Sequence, residues 1–385
     1  DGRQDVNLDL KPSKLTVPGI GWTKDKGIAA SLRFGMQTEG DVTRLSEMKL
    51  SGDGFESTGA VTLKQGRLST AKFDHVALSS RDDYRVDITG NGNAYHIKLG
   101  GKSIDARPLI ELAKSAEGAS AEDNSKAATI ELSGAVETVY GYSDERLSSG
   151  SISYSGQGDR IELLDFKAVT KSGQALVMKV SGGKADEIVE ITSGDAGAIT
   201  RFAGVYSRMR GGLLNVRLKS SGSPLRRGVI DVRNFMLVGE PRLESLVSTP
   251  SKKDGRSLKD AAKADVNVSQ ARFEVANAQV VSGNGELRVS EGIIRGPEIG
   301  ASFQGLVHDA QGNMDMTGTI MLAYGINRLF AEVPVIGLLL GNGRDRGLFG
   351  ITFRLAGKTE SPLLQVNPLS VIAPGVFRSI FEFRP

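Results

Sequence analysis

Residues 83–99 read DYRVDITGNGNAYHIKL, and the fold turns on this stretch. Tyr84, Val86 and Ile88 alternate with Arg85 and Asp87, while Tyr95, Ile97 and Leu99 alternate with His96 and Lys98. A period of two puts the apolar side chains on one face of an extended strand and the polar ones on the other. Between the two runs stands Gly90-Asn91-Gly92-Asn93, residue types that accept the positive φ of a tight hairpin turn. The stretch reads as a β-hairpin with one apolar face and one wet face.

The same pattern recurs in Leu32, Phe34, Met36; in Leu176, Met178, Val180; in Leu214, Val216, Leu218; and in Ile351, Phe353, Leu355. Turn signals such as Gly52-Asp53-Gly54, Ser181-Gly182-Gly183 and Gly283-Asn284-Gly285 separate the runs. The chain holds 48 glycines in 385 residues, roughly 12% against an ordinary 7% or so. The turns place this excess mainly at strand ends. The expected fold is all-β with a few short helices: an elongated, curled antiparallel sheet forming a hydrophobic groove, a β-taco-like repeat. Phe34, Val86, Ile97, Met178, Leu218 and Phe353 are the expected groove-lining positions. The alternation suits an open groove and a filled β-sandwich equally.

Four segments carry helical spacing instead. Asp105 is placed to cap a helix with Leu109, Ile110 and Leu112, and Asp195 to cap one with Ile199 and Phe202. Glu240–Val247 and Tyr324–Ala331 are the other two. The second and fourth share an order of short helix, glycine-rich hinge (Gly211-Gly212; Gly341 through Gly347) and alternating strand, which suggests a degenerate internal repeat. The polar stretches Ser115–Lys126 and Thr249–Lys263 read as flexible joints.

The composition excludes several kinds of chemistry. Charged residues make up 24% of the chain with a formal net charge of +3 and both signs interspersed, so no basic stripe is present to track nucleic acid. With no cysteine there is no disulfide framework, thiol nucleophile or thiolate metal site. His75, His96 and His308 lie far apart in separate strand-like runs, without metal-ligand spacing. The carboxylate pairs Asp82-Asp83 and Asp186-Glu187 sit beside turns and read as solvated. Gly341–Gly347 enters a strand, where a nucleotide loop would open a helix. No catalytic residue, cofactor or metal is expected, and the chain does not read as an enzyme.

The C-terminal stretch is denser in apolar residues. Val335, Ile336, Leu338–Leu340, Leu363, Leu364, Val366, Leu369, Val371, Ile372, Val376, Phe377, Ile380, Phe381 and Phe383 suit either a core that caps the sheet or a surface that meets lipid. In the second case Arg378 and Arg384 lie near headgroup phosphates. VPVIGLLL, residues 333–340, is far short of the roughly 20 residues a spanning helix needs. The chain opens at Asp1 in a strand-like run, Val6, Leu8, Leu10, and is read as an excised fragment whose anchor lies outside it.

At Thr317–Phe381 the pattern TGTI, YGINRLF, VPVIGLLLGNG, GLFGITFRLAG and SPLLQVNPLSVIAPGVFRSIF resembles the C-terminal region of the AsmA-like superfamily, in its YhdP-type, TamB/AsmA-related branch. Ser193–Gly212 (SGDAGAITRFAGVY with the later RGG) and Gly228–Val238 (GVIDVRNFMLV) are similar to further elements of that region. The resemblance covers Ser193 to the C-terminus, about half the chain. The polar joints divide the chain into three expected segments: an N-terminal β-groove segment, 1–116; a middle β segment with short helices, 127–248; and a C-terminal AsmA-like segment with a terminal amphipathic helix, 264–385. The resemblance implies the periplasmic portion of a protein anchored in the inner membrane of a Gram-negative envelope, forming a bridge-like conduit for phospholipid to the outer membrane. Asn327 matches a family signature position, and Asn367, Pro368, Leu369, Pro374, Gly375, Phe377, Arg378 and Phe381 mark the expected membrane or partner element. The expected partners are phospholipid, membrane and envelope proteins, with no nucleic acid. The competing expectation is a structural or scaffolding β-domain of the envelope that acts through protein partners.

Overall fold

The computed structural model describes residues 2–17, 19–116, 127–158, 160–183, 186–220, 225–241, 243, 269–322, 350–359 and 361–367. They are mostly strand, with two short helices, and twenty strands are assigned to one sheet. Contact density divides the chain into two compact units. One comprises Asp1–Ile191, Arg201–Val205 and Ser220–Ser223; the other comprises Thr192–Thr200, Tyr206–Lys219 and Pro224–Pro385.

The first unit opens with β1 (Gln4–Asp9), followed by a small separate hairpin of β2 (Leu15–Val17) and β3 (Trp22–Lys24). A run of hairpins follows: β4 (Ala30–Glu39), β5 (Val42–Gly52), β6 (Phe55–Lys64), β7 (Arg67–Ala77), β8 (Asp83–Asn91) and β9 (Ala94–Asp105). After helix α1 (Arg107–Ala116) come β10 (Thr129–Tyr140), β11 (Arg146–Gln157), β12 (Arg160–Val169), β13 (Ala175–Ser181) and the first residues of β14 (Ile188–Ser193). The hairpin predicted at residues 83–99 is present as β8 and β9, with Ile88 opposite Ile97 and Val86 opposite Leu99.

Two departures interrupt the regular meander. β1 pairs with β4 instead of its chain neighbour, because the β2–β3 hairpin is inserted between them. β9 and β10 pair in parallel. Parallel neighbours need a crossover of a dozen or more residues, and α1 with the segment after it, 107–128, provides that length.

The second unit takes in α2 (Ala196–Phe202) over its first residues, then β15 (Met209–Ser220), β16 (Arg226–Val238), β17 (Gln270–Gly283), β18 (Glu286–Arg295), β19 (Ile299–His308), β20 (Asn313–Leu322), β21 (Gly350–Lys358) and β22 (Leu363–Asn367). Ladders from β16 to β22 are antiparallel between chain neighbours. The Asp195 carboxylate accepts the Ala198 N–H at 2.9 Å, the N-cap read from sequence. Gly211-Gly212, read as a hinge, lies inside β15 with φ of 64° and 94°. Tyr324–Ala331, Gly341–Gly347, Thr249–Lys263 and most of Glu240–Val247 and Ser115–Lys126 lie outside the described residues.

Bulges curl the sheet within each unit. Register shifts fall at Leu45/Met48, Ser148/Ser151 and Val289/Gly292, where Glu47, Ser149 and Glu291 adopt φ of 53°, 54° and 50°. An extra residue on one strand bends it and increases the local right-handed twist.

Candidate functional site

In the first unit the apolar positions of successive strands fall into register. One row runs Met36, Leu45, Val61, Ala71, Ile88, Ile97, Leu132, Tyr154, Leu164 and Val180, one residue from each strand from β4 to β13. The neighbouring row is Met48, Gly59, Phe73, Val86, Leu99, Gly134, Ile152, Phe166 and Met178. Most side chains in both rows are half-buried. The opposite face is polar, as in Lys72, Asp87, Lys98, Ser133, Ser153, Asp165 and Lys179 in a single row. This division follows from the period of two: register aligned by the hairpin turns keeps each strand's apolar set on the same side.

Of the expected groove positions, Val86 and Met178 share one row, Ile97 lies in the adjacent row, and Phe34 stands between Leu32 and Met36 on the same face of β4, opposite Val6 of β1. The structure therefore brings four of the six to one face of the first unit. Leu218 and Phe353 belong to the second unit, both half-buried. Phe353 packs against a buried cluster of Ala196, Val232, Phe235, Ala271, Phe273, Ile299, Ala301 and Ile320. There the Phe235 and Phe273 rings stack with centroids 5.3 Å apart. Asn367 ends β22. Pro368, Leu369, Pro374, Gly375, Phe377, Arg378 and Phe381 lie outside the described residues.

One rim of the apolar face in the first unit is covered. Trp22 of the β2–β3 hairpin meets Phe55 edge-on at 5.1 Å and donates its indole N–H to the Leu78 carbonyl at 2.9 Å. Lys24 is 1% exposed, and its ammonium donates to the carbonyls of Leu10 and Ser13 at 2.8 Å and of Asp25 at 3.1 Å. Those bonds offset the cost of burying the charge. A side chain on Gly21 would strike the Pro108 backbone, so the hairpin rests directly on α1. Phe55, Val76 and Tyr84 are correspondingly buried, while Met36, Leu45 and Ile97 farther from this rim are half-buried. The sequence reading missed this cover. Its one available signal was the only tryptophan of the chain, placed in a short apolar run.

α1 is held by charge. The Asp105 side chain, 3% exposed, accepts from the Arg107 backbone N–H at 3.1 Å and from the Arg107 guanidinium at 2.5–3.1 Å. Burial pushes the Asp105 carboxyl up, but the Arg107 hydrogen bonds and charge outweigh it and leave it below its ordinary value. Burial raises Asp82, whose carboxylate accepts the Asp105 N–H at 2.7 Å. The Tyr142 hydroxyl donates to Glu111 at 2.7 Å, and burial together with that carboxylate pushes it up to about 12. Arg201 and Glu145 form a further, largely buried pair at 2.7 Å. Each of these groups is engaged in holding backbone or helix.

The histidines stay apart: His75 faces Glu56 at 3.2 Å and Asp83 at 3.7 Å, His96 faces Glu131 at 2.9 Å, and His308 lies opposite Leu287. Among the described residues no group of three or more His, Cys, Asp or Glu is arranged to hold a metal, and no helix is long and apolar enough to cross a membrane.

Many glycines stand at turns and strand ends, as the sequence reading expects: Asn284-Gly285 has φ of 56° and 76°, Gly52 ends β5 and Gly90 is next to last in β8. Others lie inside strands, and several stand directly across the ladder from an aromatic residue. Gly52 faces Phe55, Gly59 faces Phe73 and Gly90 faces Tyr95. In the second unit Phe303 lies between Gly292 and Gly318, and Gly318 also faces Phe353. At Gly52 the Phe55 ring occupies the place of a side chain, whereas at Gly59, Gly90 and Gly318 a neighbouring main-chain carbonyl oxygen comes nearer to that place than the ring does. No family model, curated protein or solved structure matches the chain.

Proposed function

We propose that the protein is a conduit for phospholipid, with acyl tails shielded on the apolar face of the sheet and headgroups left in water. The observation that supports this reading is the row of apolar side chains, one per strand from β4 to β13, most of them half-buried. A core that fills itself leaves its side chains buried, whereas a surface meant for a guest leaves them partly open. Ten strands at about 4.8 Å spacing carry that row over roughly 43 Å. Exposing a tail of about 16 carbons to water costs on the order of 13 kcal/mol, at about 0.8 kcal/mol per methylene. A continuous apolar surface removes most of that barrier without any catalytic group. The protein in this reading is not an enzyme. It works in the periplasm of a Gram-negative envelope between inner and outer membranes, as the resemblance of its C-terminal half implies, with the apolar C-terminal stretch meeting membrane or partner.

The buried cluster around Phe235 and Phe273 favours a second reading for that part of the chain, a structural domain that acts through protein partners. Photocrosslinking in cells separates the two. A photoreactive residue at Val86, Ile97 or Met178 is expected to capture phospholipid, and one at Lys98 or Lys179 on the polar face is not. Equal labelling from both faces, or protein adducts alone, would favour the scaffold.

A further inference from the structure

An amphipathic helix on a folded domain ordinarily turns its apolar stripe to the core and its charges to water. α1 does the reverse. Residues three and four apart share a helix face, which puts Arg107, Glu111 and Lys114 in one stripe, and all three are held by the body of the first unit. Arg107 pairs with the buried Asp105, Glu111 accepts the Tyr142 hydroxyl, and Lys114 lies 5.2 Å from the Tyr142 ring centroid. The opposite stripe carries Leu109, Leu112 and Ala113, and it faces outward: the two leucines are 36% and 38% exposed.

Beside these leucines stands the tip of the β2–β3 hairpin. A Cβ on Gly21 would lie 3.4 Å from Leu112 Cβ, and Val17, 38% exposed, pairs with Trp22 on the rung nearest the turn. Exposed apolar side chains from two elements thus neighbour one another. Positive charge is gathered on the hairpin as well. Residues 11–28 hold four lysines and one aspartate, in a chain whose 48 basic and 45 acidic residues nearly balance. Lys24 is buried, but Lys11, Lys14 and Lys26 are exposed. Lys14 lies 3.9 Å from Asp25, an exposed pair that water weakens.

We propose that the hairpin tip and α1 together dock on an anionic bilayer surface, with Val17, Leu109 and Leu112 entering the headgroup boundary and the three exposed lysines reaching lipid phosphates. Lysine separates this partner from a protein. It is depleted at protein interfaces, whereas at a bilayer its stem lies along apolar surface and its ammonium stays among the phosphates. Shallow burial of an apolar face, strengthened by anionic lipid, holds amphipathic elements on a membrane without crossing it. No acyl chain on the sheet is needed for this contact, so it stands or falls apart from the conduit reading.

The chain has no cysteine, so one introduced thiol can be labelled alone. On the intact chain, a nitrobenzoxadiazole label at Val17→Cys is expected to brighten and shift to the blue with vesicles of equal parts phosphatidylcholine and phosphatidylglycerol. The same label at Ser153→Cys, on the polar face of β11, is expected to stay unchanged. Leu109→Ser with Leu112→Ser should weaken vesicle binding about tenfold, the change when roughly 60 Å² of apolar surface no longer leaves water. Lys14→Gln with Lys26→Gln should weaken it roughly thirtyfold at low salt. Both lysines lie on the surface, so this arm decides even if the serine variant unfolds. Vesicle binding with an unmoved label at position 17 overturns the proposal and places the contact elsewhere, as on the C-terminal stretch. A chain that binds no vesicles overturns it as well and leaves the leucines to a protein partner, and undiminished binding by the lysine variant also overturns it.

Discussion

Asp105 shows how much one side chain organises in the first unit. Its carboxylate joins the end of β9 to the start of α1 through Arg107. Its folded pKa lies below the unfolded one, so the stability it contributes is fully present above the unfolded value, about 3.9. That stability is lost as pH falls through the depressed folded value. Asp82 works in the opposite sense: its raised folded pKa makes its charged form a cost above that value, relieved on acidification. Asp105→Asn is expected to lower stability by about 2 kcal/mol at neutral pH, the scale of hydrogen bonds to a charged group. It should also flatten the acid limb of the stability profile. Urea unfolding of both proteins from neutral pH to below pH 4 or so checks this, and parallel acid limbs would assign the dependence to other carboxylates. The cap role of Asp105 was legible in the sequence as a polar residue before an apolar helical run. Its contact with Asp82 was not, because Asp82 is distant along the chain and is brought near only by the β8–β9 pairing.

Among the elements, the β2–β3 hairpin and α1 are where tertiary structure departs furthest from the repeated pattern. The hairpin is too short to be stable alone, and two strands are marginal in water in any case. Trp22 on Phe55, the three carbonyls around Lys24 and the close seat of Gly21 on Pro108 hold it. Gly21 has φ of 71°, and a side chain there would also strike α1. Gly21→Val is therefore expected to lift the hairpin while leaving the main sheet paired. Trp22 is the only tryptophan of the chain, so its emission reports this directly: a red shift with unchanged far-ultraviolet circular dichroism is the expected result. An unshifted spectrum would mean that the hairpin is held without α1.

For each unit taken as a whole, the decisive contrast is between filled and open apolar surface. Phe235 is 2% exposed within a buried cluster, and Phe235→Ala should cost about 3–5 kcal/mol, the usual penalty for emptying such a site. Ile97 lies half-buried in the long row of the first unit, and Ile97→Ala should cost only about 1 kcal/mol, in proportion to the apolar area it removes from water. Thermal and denaturant midpoints of the two variants test this directly. Equal, large losses would show that the first unit is as tightly filled as the second. Ile97 and Phe353 look alike in the sequence, each an apolar residue in an alternating run, and nothing local separates a half-open row from the edge of a core.

The amino-acid sequence by itself determined the strands, their two faces and the hairpin turns, because these depend on a period of two and on residues that accept positive φ, both local properties. It also leaves the chain without a thiol, since it holds no cysteine. Tertiary structure alone decided three further things: that β9 runs beside β10 in parallel, that a hairpin and a helix cover one rim of the apolar face, and that strand glycines stand opposite aromatic rings. Each depends on which strand becomes whose neighbour and in what register. That is fixed by packing between residues far apart along the chain, and no single run of sequence records it.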